Sequence, residues 1–169
     1  MSQTPISFPP AELTLREQIR VRAEHPETAD KVFLMHDERR WSYRRFRDEA
    51  TRVAHFVLGR LGASDEKRPP HVAMLLENHL ELVALFGGCG IAGATLFGIN
   101  TGLRGEVLAG VVNHSRARLV VVDDKLLPEV EREVFGDGQG QPRCEQPLDH
   151  RIGRRVDHEH ELSDRLAVL

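Results

Sequence analysis

The chain has 169 residues, of which 40% are hydrophobic and 5% aromatic, a size and composition typical of one globular domain. Lys and Arg together number 23 and Asp and Glu number 26, which gives a formal net charge of −3. This balance, with no long run of one sign, argues against a nucleic-acid partner. A chain of this length buries about 70% of its unfolded surface, so its stability requires neither disulfides nor a metal.

The chain shows no sign of a secretory signal or a metal-binding cysteine motif. Cys89 and Cys144 match no CxxC or CxxxC pattern, and residues 1–15 contain no Lys or Arg. These features predict a reduced, cytoplasmic protein. The uncharged stretch from Leu82 to Leu103 is long enough to span a bilayer. Its glycines and polar residues divide it into shorter elements, so we favour a folded region over a membrane span.

A helix and a hairpin are predicted after a leader at residues 1–13. Thr14 is a plausible N-cap for a short helix that ends at His25, and the apolar positions of that helix are Leu15, Ile19 and Ala23. The runs Val32–His36 and Arg40–Tyr43 flank a polar turn at residues 37–39 and predict a β-hairpin.

A long amphipathic helix is predicted next, with Ser42 as its N-cap and Gly62 at its end. Its apolar stripe consists of Phe46, Ala50, Val53, Ala54, Val57, Leu58 and Leu61. The opposite face carries arginines interspersed with Asp48 and Glu49. We interpret it as a solvated face in preference to a basic docking surface.

From residue 68 onward, short apolar runs alternate with helical runs, as in βαβ units around a parallel sheet. Strands are predicted at 72–76, 94–97 and 119–122, and helices at 79–92, 104–114 and from Asp124 through Val134. The fold class is therefore α/β, with a partial parallel sheet. Right-handed crossovers place the strand ends near Asn78, Asn100 and Asp123 along one edge, where α/β sheets usually bind ligands.

The segment 136–169 is expected to be an irregular C-terminal tail that is mostly disordered or the product of a frameshift. It contains Gly, Pro, His and charged residues with no sustained apolar period. Arginine far outnumbers lysine in the chain, which suggests a GC-rich coding sequence. A frameshift in such a sequence would produce a tail of this composition. The same excess of arginine also fits an ordinary protein from a GC-rich genome.

Two motifs invite a chemical interpretation. Residues 88–93 satisfy GxGxxG, but they close a predicted helix and do not directly follow a strand. Close packing of the helix on the sheet is the favoured reading over a nucleotide cradle. His158 and His160, with nearby His150, lack the i, i+4 spacing of a preformed metal site. Four other histidines are isolated in sequence from any nucleophile motif: His36, His55, His79 and His114. No catalytic residue and no metal site is therefore assigned.

The order of several short strings resembles the N-terminal portion of adenylate-forming acyl-CoA synthetases, the AMP-binding family. The resemblance covers residues 14–135 and is strongest for the long-chain fatty acyl-CoA synthetase and fatty-acid transport branch near residues 97–103. The matching strings are Trp41-Ser42-Tyr43, 71–81, Ala92-Gly93-Ala94, 98–101, 105–114 and 115–123.

The resemblance implies a fatty acid or other carboxylate, ATP with Mg²⁺, and CoA as the reactants of the full-length family. It also places Asn78 and Asn100 at the border of the substrate pocket. The family's phosphate loop, ribose-binding Asp, magnesium Glu and catalytic Lys match no position in this sequence. We therefore expect a truncated synthetase that is inactive alone and needs no cofactor of its own.

Two alternatives to the truncated synthetase are a stand-alone module for nucleotide or acyl ligands and a half-domain completed by a partner. A sheet built for burial in a larger domain also predicts self-association through its open edge. The apolar region 82–103 predicts a peripheral contact with membranes.

Overall fold

The computed structural model describes residues 14–62, 69–135 and 166–168. Five α-helices, six strands, a short 3₁₀ turn and a π-helical turn follow one another along these residues. The helices are α1 (Leu15–Glu24), α2 (Tyr43–Leu61), α3 (Leu80–Ala92), α4 (Gly105–Ser115) and α5 (Leu127–Val130). The strands are β1 (Val32–His36), β2 (Arg39–Ser42), β3 (His71–Leu75), β4 (Thr95–Gly98), β5 (Leu119–Asp123) and β6 (Leu166–Val168).

The two predicted N-caps are confirmed. The Thr14 side chain accepts a hydrogen bond from the Glu17 backbone N–H, and the Ser42 side chain accepts one from the Arg45 backbone N–H. Each cap satisfies a backbone donor that the first helical turn leaves without an intrahelical partner.

The predicted hairpin forms, but its turn is shorter than expected. His36 pairs with Arg39, so only residues 37 and 38 connect the two antiparallel strands. Asp37 adopts a positive φ of 53° to make this tight turn. The predicted strand end at Tyr43 is wrong because the cap at Ser42 already starts α2 at that residue.

The three predicted parallel strands are confirmed in one sheet with the order β4-β3-β5-β6. Both β4 and β5 run parallel to β3, with their boundaries within a residue or so of the prediction. Strand β6 pairs antiparallel with β5, with Val168 opposite Val121. Residues 166–168 thus depart from the expected irregular tail, while 136–165 and the leader lie outside the described residues.

Alternating side chains of the sheet enter two apolar clusters. Val72, Leu119 and Val121 pack with α2 and α3 on one face. Ala73, Val120 and Val122 pack with α4 and the last helical segment on the other. All five residues of β5 are buried, as expected for a strand covered on both faces.

The last helical segment is irregular, and the prediction that Asp124 caps one regular helix is wrong. A 3₁₀ turn over residues 124–126 precedes α5, and a π-helical turn covers residues 131–135. Pro128 has no backbone N–H, so the α-helical bond from residue 128 back to Asp124 is unavailable. Val130 and Val134 nevertheless reach the core.

No helix within the described ranges is long and apolar enough to cross a membrane. The uncharged stretch 82–103 is divided among most of α3, the strand β4 and the loop that follows it.

Candidate functional site

The carboxyl ends of β3, β4 and β5 share one edge of the sheet because the three strands are parallel. Glu77 and Asn78 follow β3, Asn100 follows β4, and Asp123 is the last residue of β5. This edge is where an open α/β sheet ordinarily binds a ligand.

The two residues predicted to border a substrate pocket, Asn78 and Asn100, are both exposed at this edge. Asn78 lies in the bend between β3 and α3. The Asn100 side-chain oxygen accepts a hydrogen bond from the Gly102 backbone N–H at 2.8 Å, an Asx-type turn. Asn100 therefore has a local structural role, and ligand contact by either side chain stays a prediction.

A buried cluster of charged side chains lies beside these asparagines. Nε2 of His79 is 2.8 Å from Oδ1 of Asp123, and Nδ1 of His79 is 3.1 Å from Oε2 of Glu81. The second Glu81 oxygen accepts from the Arg39 guanidinium at 2.6 Å. The side chains of His79, Glu81 and Asp123 are only 7%, 5% and 8% exposed.

The contacts of His79 favour the protonated form of its ring. Both ring nitrogens face carboxylate oxygens, and a neutral imidazole has a proton on only one of them. The neighbouring Glu81 and Asp123 carboxylates raise the pKa of His79 against the opposing effect of burial. These contacts favour the imidazolium form of His79, whose charge, with that of Arg39, balances the two carboxylates.

Glu81 is held ionised by the same contacts. Burial by itself would raise the pKa of this carboxyl group, but contacts with His79 and Arg39 outweigh burial and lower the pKa to about 2. The second oxygen of Asp123 accepts from the Glu77 backbone N–H at 2.7 Å. The charges in the cluster are thus directed at one another, an arrangement that positions the elements to which they belong.

Sequence reasoning missed this cluster, because it compared His79 only with nucleophile motifs and assigned it no carboxylate partner. His79 and Asp123 belong to different βα junctions, so their contact depends on the pairing of β3 with β5. A signal was nevertheless present, since Asp123 directly follows the run predicted as the strand 119–122, and His79 and Glu81 begin the helix predicted after the strand 72–76.

The GxGxxG string is a packing motif, and the nucleotide-cradle reading is wrong. Gly88 lies inside α3, where an added Cβ would overlap the Val53 side chain and lie 3.0 Å from the Ala50 carbonyl oxygen. At Gly90 the same atom would lie 2.6 Å from Leu15. These contacts join α3 to α2 and α1, so the expected packing of the helix on the sheet is corrected to packing between helices.

Other candidate chemistry is limited. The Cys89 thiol is buried, and burial raises its pKa to about 12, which removes it as a nucleophile. Among the described residues no group of three His, Cys, Asp or Glu side chains is placed to hold a metal ion. His150, His158 and His160 lie outside the described residues.

Comparison with known proteins identifies the family. The model of the AMP-binding enzyme family matches residues 19–161, which extends the likeness beyond residue 135. The 4-hydroxybenzoate–CoA/benzoate–CoA ligase of Rhodopseudomonas palustris is 31% identical over 101 residues, covering 60% of this chain and 18% of that ligase. The chain belongs to the AMP-binding enzyme family.

Solved structures show the same fold. An anthranilate CoA ligase in complex with anthranoyl-AMP superposes with a TM-score of 0.60 at 30% identity, covering 68% of this chain and 21% of that chain. A structure described as a putative long-chain-fatty-acid CoA ligase from R. palustris gives a TM-score of 0.65 at 24% identity, covering 78% and 31%. The chain therefore spans less than a third of the length of these relatives.

Proposed function

We propose that this chain forms the N-terminal part of an enzyme that joins a carboxylic acid to CoA at the expense of ATP. The observation that carries the proposal is the 31% identity to a 4-hydroxybenzoate–CoA/benzoate–CoA ligase, within a match to the AMP-binding enzyme family. In such a reaction the acid attacks ATP to give an acyl-adenylate and pyrophosphate, and CoA then displaces AMP to give the thioester.

The described residues support a scaffolding contribution to this reaction. Asn78 and Asn100 present polar groups at the exposed sheet edge, while the charges of the neighbouring cluster are neutralised by one another. Adenylate formation depends on positioning and charge neutralisation of phosphates. We therefore propose that the groups that bind ATP, with its Mg²⁺, belong to protein outside the described ranges and that the described part is inactive alone.

We propose a carboxylic acid as the substrate class. Whether its acyl group is aromatic or a long fatty chain is a separate question. The relatives at 30% and 31% identity are named for anthranilate, 4-hydroxybenzoate and benzoate. The fatty-acid name belongs to a structure at 24% identity, which supports the fold alone. The fatty-acyl branch stays a prediction, and an assay must therefore include both aromatic and long-chain acids.

A chimera tests the proposal directly. The matching segment of the R. palustris ligase is replaced by this chain, and acid-dependent exchange between ATP and pyrophosphate is measured with benzoate, anthranilate and long-chain fatty acids. We expect exchange in the chimera and none in the isolated chain. A folded chimera without exchange contradicts the proposal, and exchange by the isolated chain contradicts its inactivity.

The same chimera distinguishes the roles of the two asparagines. Replacing Asn78 with Ala is expected to weaken substrate use if that side chain borders the pocket. The Asn100→Ala variant also loses the turn contact to Gly102, so its stability must be measured beside its activity. Calorimetry of the isolated chain with ATP, AMP and acyl-CoA tests the alternative of a stand-alone binding module. Only that alternative predicts a measurable heat of ligand binding.

We further propose a cytoplasmic location, with self-association of the isolated chain and a peripheral membrane contact. Among the described strands, β4 has a partner on one side only, and Val107 and Val111 are exposed on α4. Exposed edges and apolar patches favour association. Size-exclusion chromatography with light scattering tests self-association, and flotation with liposomes tests the membrane contact.

A further inference from the structure

The buried cluster connects three elements that are separate in sequence. Glu81 lies in the first turn of α3, Asp123 ends β5, and Arg39 belongs to β2 of the hairpin. His79 lies between the two carboxylates, and Glu81 lies between His79 and Arg39. The hairpin is thereby linked to the carboxyl edge of the parallel sheet through one carboxylate and one imidazolium.

Loss of one proton changes the interactions of the whole cluster. With His79 charged, two cations face two carboxylates, and with His79 neutral a negative charge is left uncompensated in a buried place. A neutral ring also has a lone pair on one nitrogen, which then faces a carboxylate oxygen. Of the two contacts of the ring, the one between Nδ1 and Glu81 is the weaker, because it is 3.1 Å long and poorly aligned for a hydrogen bond. The contact between Nε2 and Asp123 is a hydrogen bond of 2.8 Å.

The other charged groups nearby reinforce this asymmetry. Asp123 retains the Glu77 backbone N–H when His79 is neutral. Lys125 is exposed and paired with the Glu77 carboxylate at 2.6 Å, so this cation does not replace the lost positive charge. Repulsion is therefore concentrated on Glu81, the residue that also contacts the hairpin at Arg39.

We propose that His79 is a proton-dependent latch, whose imidazolium holds the β1–β2 hairpin on the sheet edge through Glu81 and whose deprotonation loosens the hairpin. The proton leaves to solvent, and Glu81 turns away from the neutral ring. Because the folded pKa of His79 is raised above 6.5, the latch is closed below that pH and opens as the pH rises through the folded value. Each unit of difference between the closed and open pKa values changes the opening equilibrium about tenfold.

The hairpin contains a tryptophan whose fluorescence reports on its environment. Trp41 is the only tryptophan of the chain and lies in β2, where it is 3% exposed. The guanidinium carbon of Arg39 is 5.7 Å from the centroid of its ring, and that of Arg45 is 5.6 Å away. Displacement of Arg39 and loosening of the hairpin will hydrate this ring and shift its emission to longer wavelength.

The test is a fluorescence titration of the full chain between about pH 6 and 9, the range that brackets a raised histidine pKa. Proton NMR of the imidazole C–H groups gives the His79 midpoint independently. We expect the Trp41 emission to shift with the same midpoint as His79, above 6.5. A red shift that is absent, or that follows another group, overturns the latch.

Three variants make the assignment specific. His79→Gln is expected to remove the titration, whereas His55→Gln, at an exposed position of α2, retains it. Asp123→Asn removes one carboxylate facing the ring and is expected to lower the midpoint. If His79→Gln does not fold, as judged by circular dichroism, the midpoint of Asp123→Asn decides, and an unchanged midpoint overturns the proposal.

Discussion

Replacing Gly88 with Ala tests the close packing of α2 against α3. At an exposed helix position, Gly to Ala stabilises a protein by about 1 kcal/mol because the unfolded chain loses freedom. At Gly88 the added methyl group overlaps Val53 and lies 3.0 Å from the Ala50 carbonyl oxygen. Overpacking of this kind costs about 1–3 kcal/mol, and because the neighbour includes backbone, we expect a net loss of about 1–2 kcal/mol.

The matched control is Gly110→Ala, since Gly110 is exposed in α4 and an added Cβ meets nothing within 4 Å. This variant should gain up to about 1 kcal/mol. For a chain of this size each kcal/mol corresponds to roughly 2–4 °C in Tm, so calorimetry resolves the two. If Gly88→Ala is as stable as Gly110→Ala, close approach of the helices does not explain glycine at position 88.

Three further predictions address a cap, an acid group and a thiol. Ser42→Ala should lower the free energy of unfolding by about 1 kcal/mol, measured by urea denaturation, because α2 loses its N-cap; an unchanged midpoint would contradict the role of the cap. Because the pKa of Glu81 is lowered to about 2, its contribution to stability is present above about pH 4.5 and lost as the pH falls toward 2. The stability gap between wild type and Glu81→Gln should therefore narrow over that range, and a constant gap would refute this. In a Cys144→Ser variant, Cys89 should react with a thiol reagent only after unfolding, and rapid reaction of the native protein would show that the thiol is accessible.

The regular elements were predictable because each depends on local physics. Amphipathic periodicity defined the buried stripe of α2, and side-chain caps defined its start at Ser42. Continuous apolar runs marked the three parallel strands. The irregular helical segment after β5 was harder to predict, because Pro128 affects the hydrogen bonding of the residues before it.

The site was predictable only as a location. Rules of chain topology place the strand ends at one edge, and Asn78 and Asn100 are there. Which polar side chains are buried depends on contacts between distant segments, such as that of His79 with Asp123. Prediction is limited in the same way for the glycines of α3. Their presence in the sequence does not reveal whether a ligand, a sheet or the helix α2 lies against them.

The pairing of β6 with β5 has a consequence for synthesis on the ribosome. Asp123 pairs with Leu166. One edge of the apolar strand β5 therefore stays unpaired until residues more than forty positions downstream have left the ribosome. Until then β5 presents unpaired backbone groups beside a row of valines, a surface that other nascent chains and chaperones recognise. Pairing of β6 is thus delayed relative to the pairing of β3 with β5, and removal of residues 166–168 should lower the soluble yield in cells.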